Sequence, residues 1–309
     1  MKKLRTAVCI TGRLDFLNIT SKNLKRNVFD QLDNPDIFIY YSEIGKKKLF
    51  YRGIINSSKD VLYKILDFFK PKKKINTNNP INVEEIRKKL PFKKIIITKD
   101  KFLSNQSKIN VRNFGKGKES YLQMIYALFE CNKLIKNYEN ENNFKYDFKL
   151  RLRADVLFIK PIPNINNFPK NKITIPFFHN ERDGCGSFGK FNDKKCIHDR
   201  FAIGPSDKMD ILLDQYNNMN DANDLKHYTH AEHLLYHYLD WNGLSFEKKT
   251  IEKNNNILFL RVRKKNKNNF EIFATDCGES KRRPGDKKNC IDCDKYLKDW
   301  KNTGIEELV

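Results

Sequence analysis

The chain has 309 residues, of which 39% are hydrophobic and 12% aromatic, so it can bury a full core in one large domain or two small ones. Its formal charge of +22 favours anionic partners, without choosing among nucleic acid, an anionic membrane and a nucleotide diphosphate. No segment approaches the ~20 apolar residues of a membrane-spanning helix, and an odd number of cysteines does not describe a secreted disulfide scaffold. We therefore expect a soluble, basic protein in a reducing, cytoplasm-like compartment, with peripheral association with a membrane left open.

The first half of the chain alternates predicted strands and helices. Residues 4–10 form an apolar run that predicts a strand and ends at Thr11-Gly12, where a turn can approach a ligand closely. This run is too short for a signal peptide, although Met1-Lys2-Lys3 has the charge of one. Segment 70–90 is polar and charged and is expected on the surface. The other predicted elements are a helix capped by Ser21, a strand at 37–41, a helix at 57–69, a strand at 93–98 and a helix at 119–138.

The second half opens with segment 146–158, a strand-like run in which apolar and basic residues alternate. Arginine and aspartate among strand-forming residues are unfavourable unless the charges pair, reach solvent or bind something. Arg151, Arg153 and Asp155 therefore suit a metal-bound or phosphate-bearing ligand; alternatively, this is an edge strand whose arginines face water and whose Asp155 opens a turn. Predicted strands at 172–176, 200–203 and 257–262 and helices at 206–216 and 228–241 follow.

Alternating strands and helices predict an α/β fold with a mostly parallel central sheet flanked by helices. Ligands of such open sheets bind outside the carboxyl ends of the strands. Thr11-Gly12-Arg13, Ser42 and Asp155 all fall at predicted strand ends. We therefore expect a ligand site where these residues converge.

Segment 146–155, Tyr-Asp-Phe-Lys-Leu-Arg-Leu-Arg-Ala-Asp, resembles sugar-nucleotide glycosyltransferases of the GT-A fold, a Rossmann-like architecture. More narrowly, it resembles the bacterial and large-virus enzymes that carry an Arg-x-Arg-x-Asp strand. Three further segments agree in the same order, so that the resemblance covers roughly residues 4 to 245: 6–13 with 36–42, 198–204 and 230–235. The resemblance implies one GT-A-like domain at 1–275 and a basic, cysteine-containing tail at 276–309, in the host cytoplasm if the source is a virus.

The resemblance also implies an activity, the transfer of a sugar from a nucleotide diphosphate to a hydroxyl of a glycan or glycoconjugate. Such enzymes neutralise the leaving diphosphate with a divalent metal or with basic side chains. Asp155 is the expected ligand of Mn²⁺ or Mg²⁺; otherwise Arg151 and Arg153 take the metal's place by contacting phosphate. Asp199 and Glu232 are the candidate general bases carried over from the resemblance. Thr11, Gly12, Arg13 and Ser42 are expected to line the nucleotide-sugar site.

Other readings come from other classes of protein. A basic nucleic-acid-binding protein fits the charge, but the chain has no recognisable nucleic-acid-binding motif, so we expect no specific nucleic-acid partner. A nucleotidyltransferase is less favoured, because that chemistry usually needs two metals and only Asp155 is a strand-end carboxylate. Whether Cys277, Cys290 and Cys293 hold zinc stays open, as does a zinc role for histidines 227, 230, 233 and 237.

Overall fold

The computed structural model describes residues 3–42, 83–98, 118–158, 160–176, 197, 199–219, 231–249, 259–264 and 270–274. The predicted helix at 57–69 and the tail at 276–309 with its three cysteines lie outside these residues, as do His227, His230 and the side chain of His233. Within the described part of the chain, no helix is both long and apolar enough to cross a membrane.

The centre of the fold is a seven-stranded sheet in the order β3-β2-β1-β4-β7-β6-β8. Six of these strands run in one direction, and β7 runs against its neighbours β4 and β6. Strands β10, β9 and β5 form a second, antiparallel sheet. The strands are β1 Thr6–Thr11, β2 Asp36–Ser42, β3 Lys94–Thr98, β4 Phe148–Arg153, β5 Val156–Phe158, β6 Ile173–Pro176, β7 Phe201–Pro205, β8 Phe246–Lys249, β9 Phe259–Lys264 and β10 Phe270–Ala274.

Helices cover both faces of the central sheet. One core lies between the sheet and a long amphipathic helix, and a second core lies on the opposite face against the first helix of the chain. The α-helices are α1 Leu17–Asn27, α2 Val83–Lys89, α3 Lys118–Glu141, α4 Ser206–Leu213, α5 Gln215–Asn218 and α6 Ala231–Trp241, with 3₁₀ turns at Leu14–Phe16, Phe29–Gln31 and Ile165–Asn167. The predicted α/β class with a mostly parallel sheet is therefore confirmed and is compatible with a Rossmann-like fold; the narrower GT-A assignment stays a prediction.

The central strand β4 is buried on both faces, yet only one face is apolar. Leu150 and Leu152 enter the core on the α1 side. Because successive side chains of a strand point to opposite faces, Lys149, Arg151 and Arg153 project towards the α3 side. A row of three basic side chains thus runs along the middle of the sheet.

Several predicted boundaries differ from the structure. Segment 146–158 is not one strand, because the chain turns at Ala154-Asp155 and β5 pairs with β9 in the second sheet. Helix α1 begins at Leu17, so Ser21 lies inside it and does not cap it. The polar segment 70–90 contains helix α2, which buries only Ile86. The predicted helix at 206–216 divides into α4 and α5.

Candidate functional site

The candidate site forms at the carboxyl ends of β1 and β4, which are neighbours in the sheet. Thr11 pairs with Arg153 in the parallel register, and the Ala154 amide donates to the Thr11 carbonyl at 3.2 Å. Gly12, which follows, has a φ of 103°, a backbone conformation that side chains disfavour. A Cβ placed on this glycine would lie 4.0 Å from the Ala154 amide nitrogen, so the turn after β1 passes close to the end of β4.

Helix α1 supports the turn that carries Asp155. The Thr20 hydroxyl donates to the Ala154 carbonyl at 2.9 Å and to the Phe16 carbonyl at 3.1 Å. The Asn23 side chain both accepts from the Phe158 amide and donates to its carbonyl. These buried bonds fix the turn between β4 and β5, so Asp155 is presented by a well-supported backbone.

Arg153 and Asp155 form a two-pronged ion pair. Arg153 Nε and Nη2 donate to the two carboxylate oxygens of Asp155, each at 2.9 Å. The Asp155 side chain is only 7% exposed and the Arg153 side chain 22%. A bidentate guanidinium–carboxylate pair is the strongest geometry available to these groups, so it orients both side chains firmly. The alternative in which the arginines simply face water does not describe Arg153, although Asp155 does lie in a turn.

Asp199 and Arg200 join this pair from the segment that enters β7. Asp199 Oδ2 lies 3.6 Å from Arg153 Nη1, and its other oxygen lies 3.9 Å from Arg200 Nε. The Arg153 amide also donates to the Arg200 carbonyl at 3.2 Å, which continues the β4–β7 ladder. The antiparallel course of β7 is therefore what brings Asp199 to the carboxyl end of β4.

Arg151 lies two residues before Arg153 on the same face and is 1% exposed. Its Nη2 donates to the Met124 sulfur at 3.3 Å. Among the described residues, Arg151 Nε has no hydrogen-bond partner, and no carboxylate comes within ion-pair distance of this guanidinium. Arg151 is therefore a buried cation without an ion-pair partner in the described structure.

The surroundings change the pKa values of the two arginines in opposite directions. Burial lowers the pKa of Arg151, the charge of Asp199 opposes this effect, and the neighbouring Arg153 adds to it. Burial also lowers the pKa of Arg153, but the carboxylates of Asp155 and Asp199 outweigh it, and the net shift is upward. Glu232 contributes to the same upward shift.

Glu232 lies in the first turn of α6, half-buried. Its backbone carbonyl accepts from the Ile197 amide at 3.4 Å, which holds the start of α6 beside the segment that carries Asp199. Its charge acts on Arg153, as the pKa of that residue indicates. The structure thus brings Glu232 into the neighbourhood of the Arg153–Asp155 pair.

The remaining predicted residues lie nearer the edge of the site. Arg13 is exposed, and its guanidinium stacks on the Phe16 ring at 5.1 Å. Ser42 ends β2; since Thr11 pairs with Tyr40, Ser42 extends two residues further towards the same edge of the sheet. Nothing is described of the Ser42 side chain. Arg200, by contrast, was not among the predicted site residues, because only the reversed strand β7 brings it to β4.

Asp155 in this arrangement does not fit the role of a metal ligand. Both of its oxygens already accept from Arg153, whereas a divalent cation needs carboxylate oxygens directed at the metal. No group of three or more metal-ligating side chains occurs within the described ranges. The metal role of Asp155 stays a prediction, and the reaction proposed for this protein uses no metal bound to Asp155.

Lys149, two residues before Arg151, is another buried cation on the same strand, and it has carboxylate partners. Its ammonium lies 2.6 Å from Asp210 Oδ1 and 3.4 Å from Glu139 Oε2. It also donates to Asn132 Oδ1 at 3.5 Å. The side chains of Lys149 and Glu139 are both 0% exposed. This cation joins β4 to α3 and α4 and is neutralised where it lies.

Comparison with known protein families and with curated proteins found no match for this chain. The glycosyltransferase resemblance noted in the sequence therefore stays a prediction, and function has to be argued from the site itself.

Proposed function

We propose that this protein is a glycosyltransferase that moves a sugar from a nucleotide diphosphate to a hydroxyl group of a glycan or glycoconjugate. The observation that supports this proposal is the cluster of Arg153, Asp155, Asp199 and Arg200 at the carboxyl end of β4, beside the Gly12 turn. Open α/β sheets bind nucleotides at such strand ends, and guanidinium groups suit a diphosphate. The segments that resemble GT-A enzymes, which follow one another in the same order along the chain, narrow the class of substrate to nucleotide sugars.

In the proposed reaction, the bond between the sugar's anomeric carbon and the diphosphate oxygen breaks, and its electron pair leaves with the diphosphate. A new bond forms between that carbon and the acceptor oxygen, whose proton passes to a carboxylate of the protein. Positive charge develops on the sugar ring and negative charge on the leaving group. Arg153 and Arg200 are the described groups that can offset the negative charge.

Both candidate bases lie at the cluster. Asp199 lies 3.6 Å from Arg153 and 3.9 Å from Arg200, so it also holds these two guanidinium groups in position. Glu232 lies half-buried in the first turn of α6, beside the segment that carries Asp199. We assign Glu232 as the general base and Asp199 as a positioning residue, and the Glu232→Gln variant tests this assignment. Glu232→Gln should lower turnover by about 10²- to 10⁴-fold while donor binding persists.

The test is incubation of the purified chain with a panel of nucleotide sugars, with and without Mn²⁺, followed by ligand-observed NMR and measurement of released nucleotide. We expect one nucleotide sugar to bind and to undergo slow hydrolysis even without acceptor. The control variant is Lys133→Ala, which removes an exposed charge on α3 that pairs with Glu130 at 3.8 Å. If no nucleoside diphosphate binds at millimolar concentration, the proposed function is wrong.

A further inference from the structure

The burial of the charged Arg151 side chain is not explained by a gain in the stability of the fold. Burying a guanidinium without an ion-pair partner is strongly unfavourable, and an apolar side chain of similar volume is often neutral or stabilising at such a position. Arg151 is 1% exposed, its Nε has no hydrogen-bond partner among the described residues, and its Nη2 lies 3.3 Å from the Met124 sulfur. The described contacts of Arg151 therefore do not by themselves account for a charged side chain at this buried position.

The position of Arg151 connects it to the candidate site. In a strand, residues two apart lie on the same face and are separated by about 7 Å. Arg151 therefore lies directly beneath Arg153, whose guanidinium is held by Asp155 and Asp199. Because Arg151 itself is buried, its fixed positive charge is screened less than a surface charge would be when it acts on an anion at the strand end.

We propose that the site neutralises a bound diphosphate group with guanidinium groups in place of a metal ion, Arg151 supplying the unpaired positive charge from beneath. Arg153 pairs with the carboxylate of Asp155, where a metal ion would otherwise bind. In this proposal the exposed edge of Arg153 and the guanidinium group of Arg200 face the ligand. This inference deepens the proposed function and rests on it for the identity of the ligand. When the donor bond breaks, the electron pair adds one negative charge to the diphosphate, and Arg151 stabilises that charge without being reorganised.

The first experiment measures calorimetric binding of inorganic pyrophosphate and of UDP to the full chain at about 0.15 M salt, where weak surface attraction is screened. Each titration is run in EDTA and again in Mn²⁺. We expect both ligands to bind in EDTA with affinities within a few-fold of those in Mn²⁺. Binding that requires Mn²⁺ would overturn this inference and leave the glycosyltransferase proposal standing. Pyrophosphate binding without any nucleotide binding would support the anion site and contradict the proposed donor.

The second experiment separates a functional from a structural role of Arg151. Arg151→Met removes the charge and keeps an unbranched side chain next to Met124, whereas Arg151→Lys keeps the charge. Arg151→Met should bind pyrophosphate about 10- to 50-fold more weakly, the scale of one unscreened charge at this distance, and should melt at or above the wild-type temperature. Arg151→Lys should retain most of the affinity. Wild-type affinity in Arg151→Met, or a melting temperature well below the wild type, would show that Arg151 is not the anion-neutralising group.

Discussion

Lys149 and Arg151 are buried cations on the same face of the same strand, two residues apart, and the fold treats them differently. Lys149 lies between the carboxylates of Glu139 and Asp210, which belong to the helices packed over it. Arg151 faces a methionine sulfur instead. The first arrangement joins a strand to two helices, whereas the second places beneath the candidate site a cation that has no carboxylate partner among the residues that the structure describes. A row of basic residues on one strand can therefore stabilise the fold at one end and bind a ligand at the other.

The largest effect should come from the carboxylate that orients the functional end of this row. Asp155→Asn keeps the shape of the side chain but removes the charge that holds Arg153 in its bidentate geometry. Turnover of the nucleotide sugar should fall by about two to four orders of magnitude. Initial rates on the wild type and the variant, with melting temperatures for both, check this. Full activity at an unchanged melting temperature would show that the carboxyl end of β4 is not part of the active site.

At the structural end of the row, Lys149→Met should destabilise the protein by about 3 kcal/mol, because it removes the buried cation that Glu139 and Asp210 share. The buried carboxylate of Glu139 then keeps the exposed Lys145, at 3.6 Å, as its cation. Urea unfolding measures the loss, and activity per folded molecule should stay near the wild-type value. The double variant Lys149→Met with Glu139→Gln should recover much of the stability, since no buried charge is then left alone. If the single variant is as stable as the wild type, Lys149 does not stabilise the fold, and the proposed difference in role between Lys149 and Arg151 is wrong.

The turn beneath Asp155 should respond more modestly. Thr20→Val removes the hydroxyl that donates to the Ala154 and Phe16 carbonyls, and leaves the buried Ala154 carbonyl without this donor. We expect a loss of about 1–3 kcal/mol in the free energy of unfolding, together with weaker pyrophosphate binding. Thr20→Ser keeps the hydroxyl and is the matched control. Equal stability of Thr20→Val and Thr20→Ser would mean that the turn does not depend on this bond.

The smallest effect concerns the glycine at the edge of the site. Gly12→Ala places a Cβ on a residue whose φ is 103°, so stability should fall by about 1–2 kcal/mol. Gly243→Ala, at a φ of 60° and with nothing within 4 Å of the added Cβ, is the control for a positive-φ glycine in the left-handed region that L residues can occupy. Chemical denaturation should show a smaller loss in Gly243→Ala than in Gly12→Ala, and only Gly12→Ala should weaken nucleotide binding. Equal binding by the two variants would exclude Gly12 from the ligand site.

Much of the central sheet could be predicted because its signals are local. The apolar run before Thr11-Gly12 became β1, and the long helical periodicity became α3. The sequence offered a turn at Asp155 as one of two alternatives but could not decide for it, because Val156, Leu157 and Phe158 are strand-forming residues that find their partner in β9, about a hundred positions later in the chain. The reversed direction of β7, which delivers Asp199 and Arg200 to the site, likewise depends on pairing between distant segments.

The sequence by itself determined that basic and apolar residues alternate along β4, and therefore that Lys149, Arg151 and Arg153 share one face, since the side-chain period of a strand is two. It could not determine which of these cations would be neutralised. That depends on Glu139 and Asp210 reaching Lys149 from two helices, and on Asp199 reaching Arg153 from β7. Only the tertiary structure decided that Arg151, between them, would be buried without a carboxylate partner from the described part of the chain, because each partner arrives from a separate element through packing.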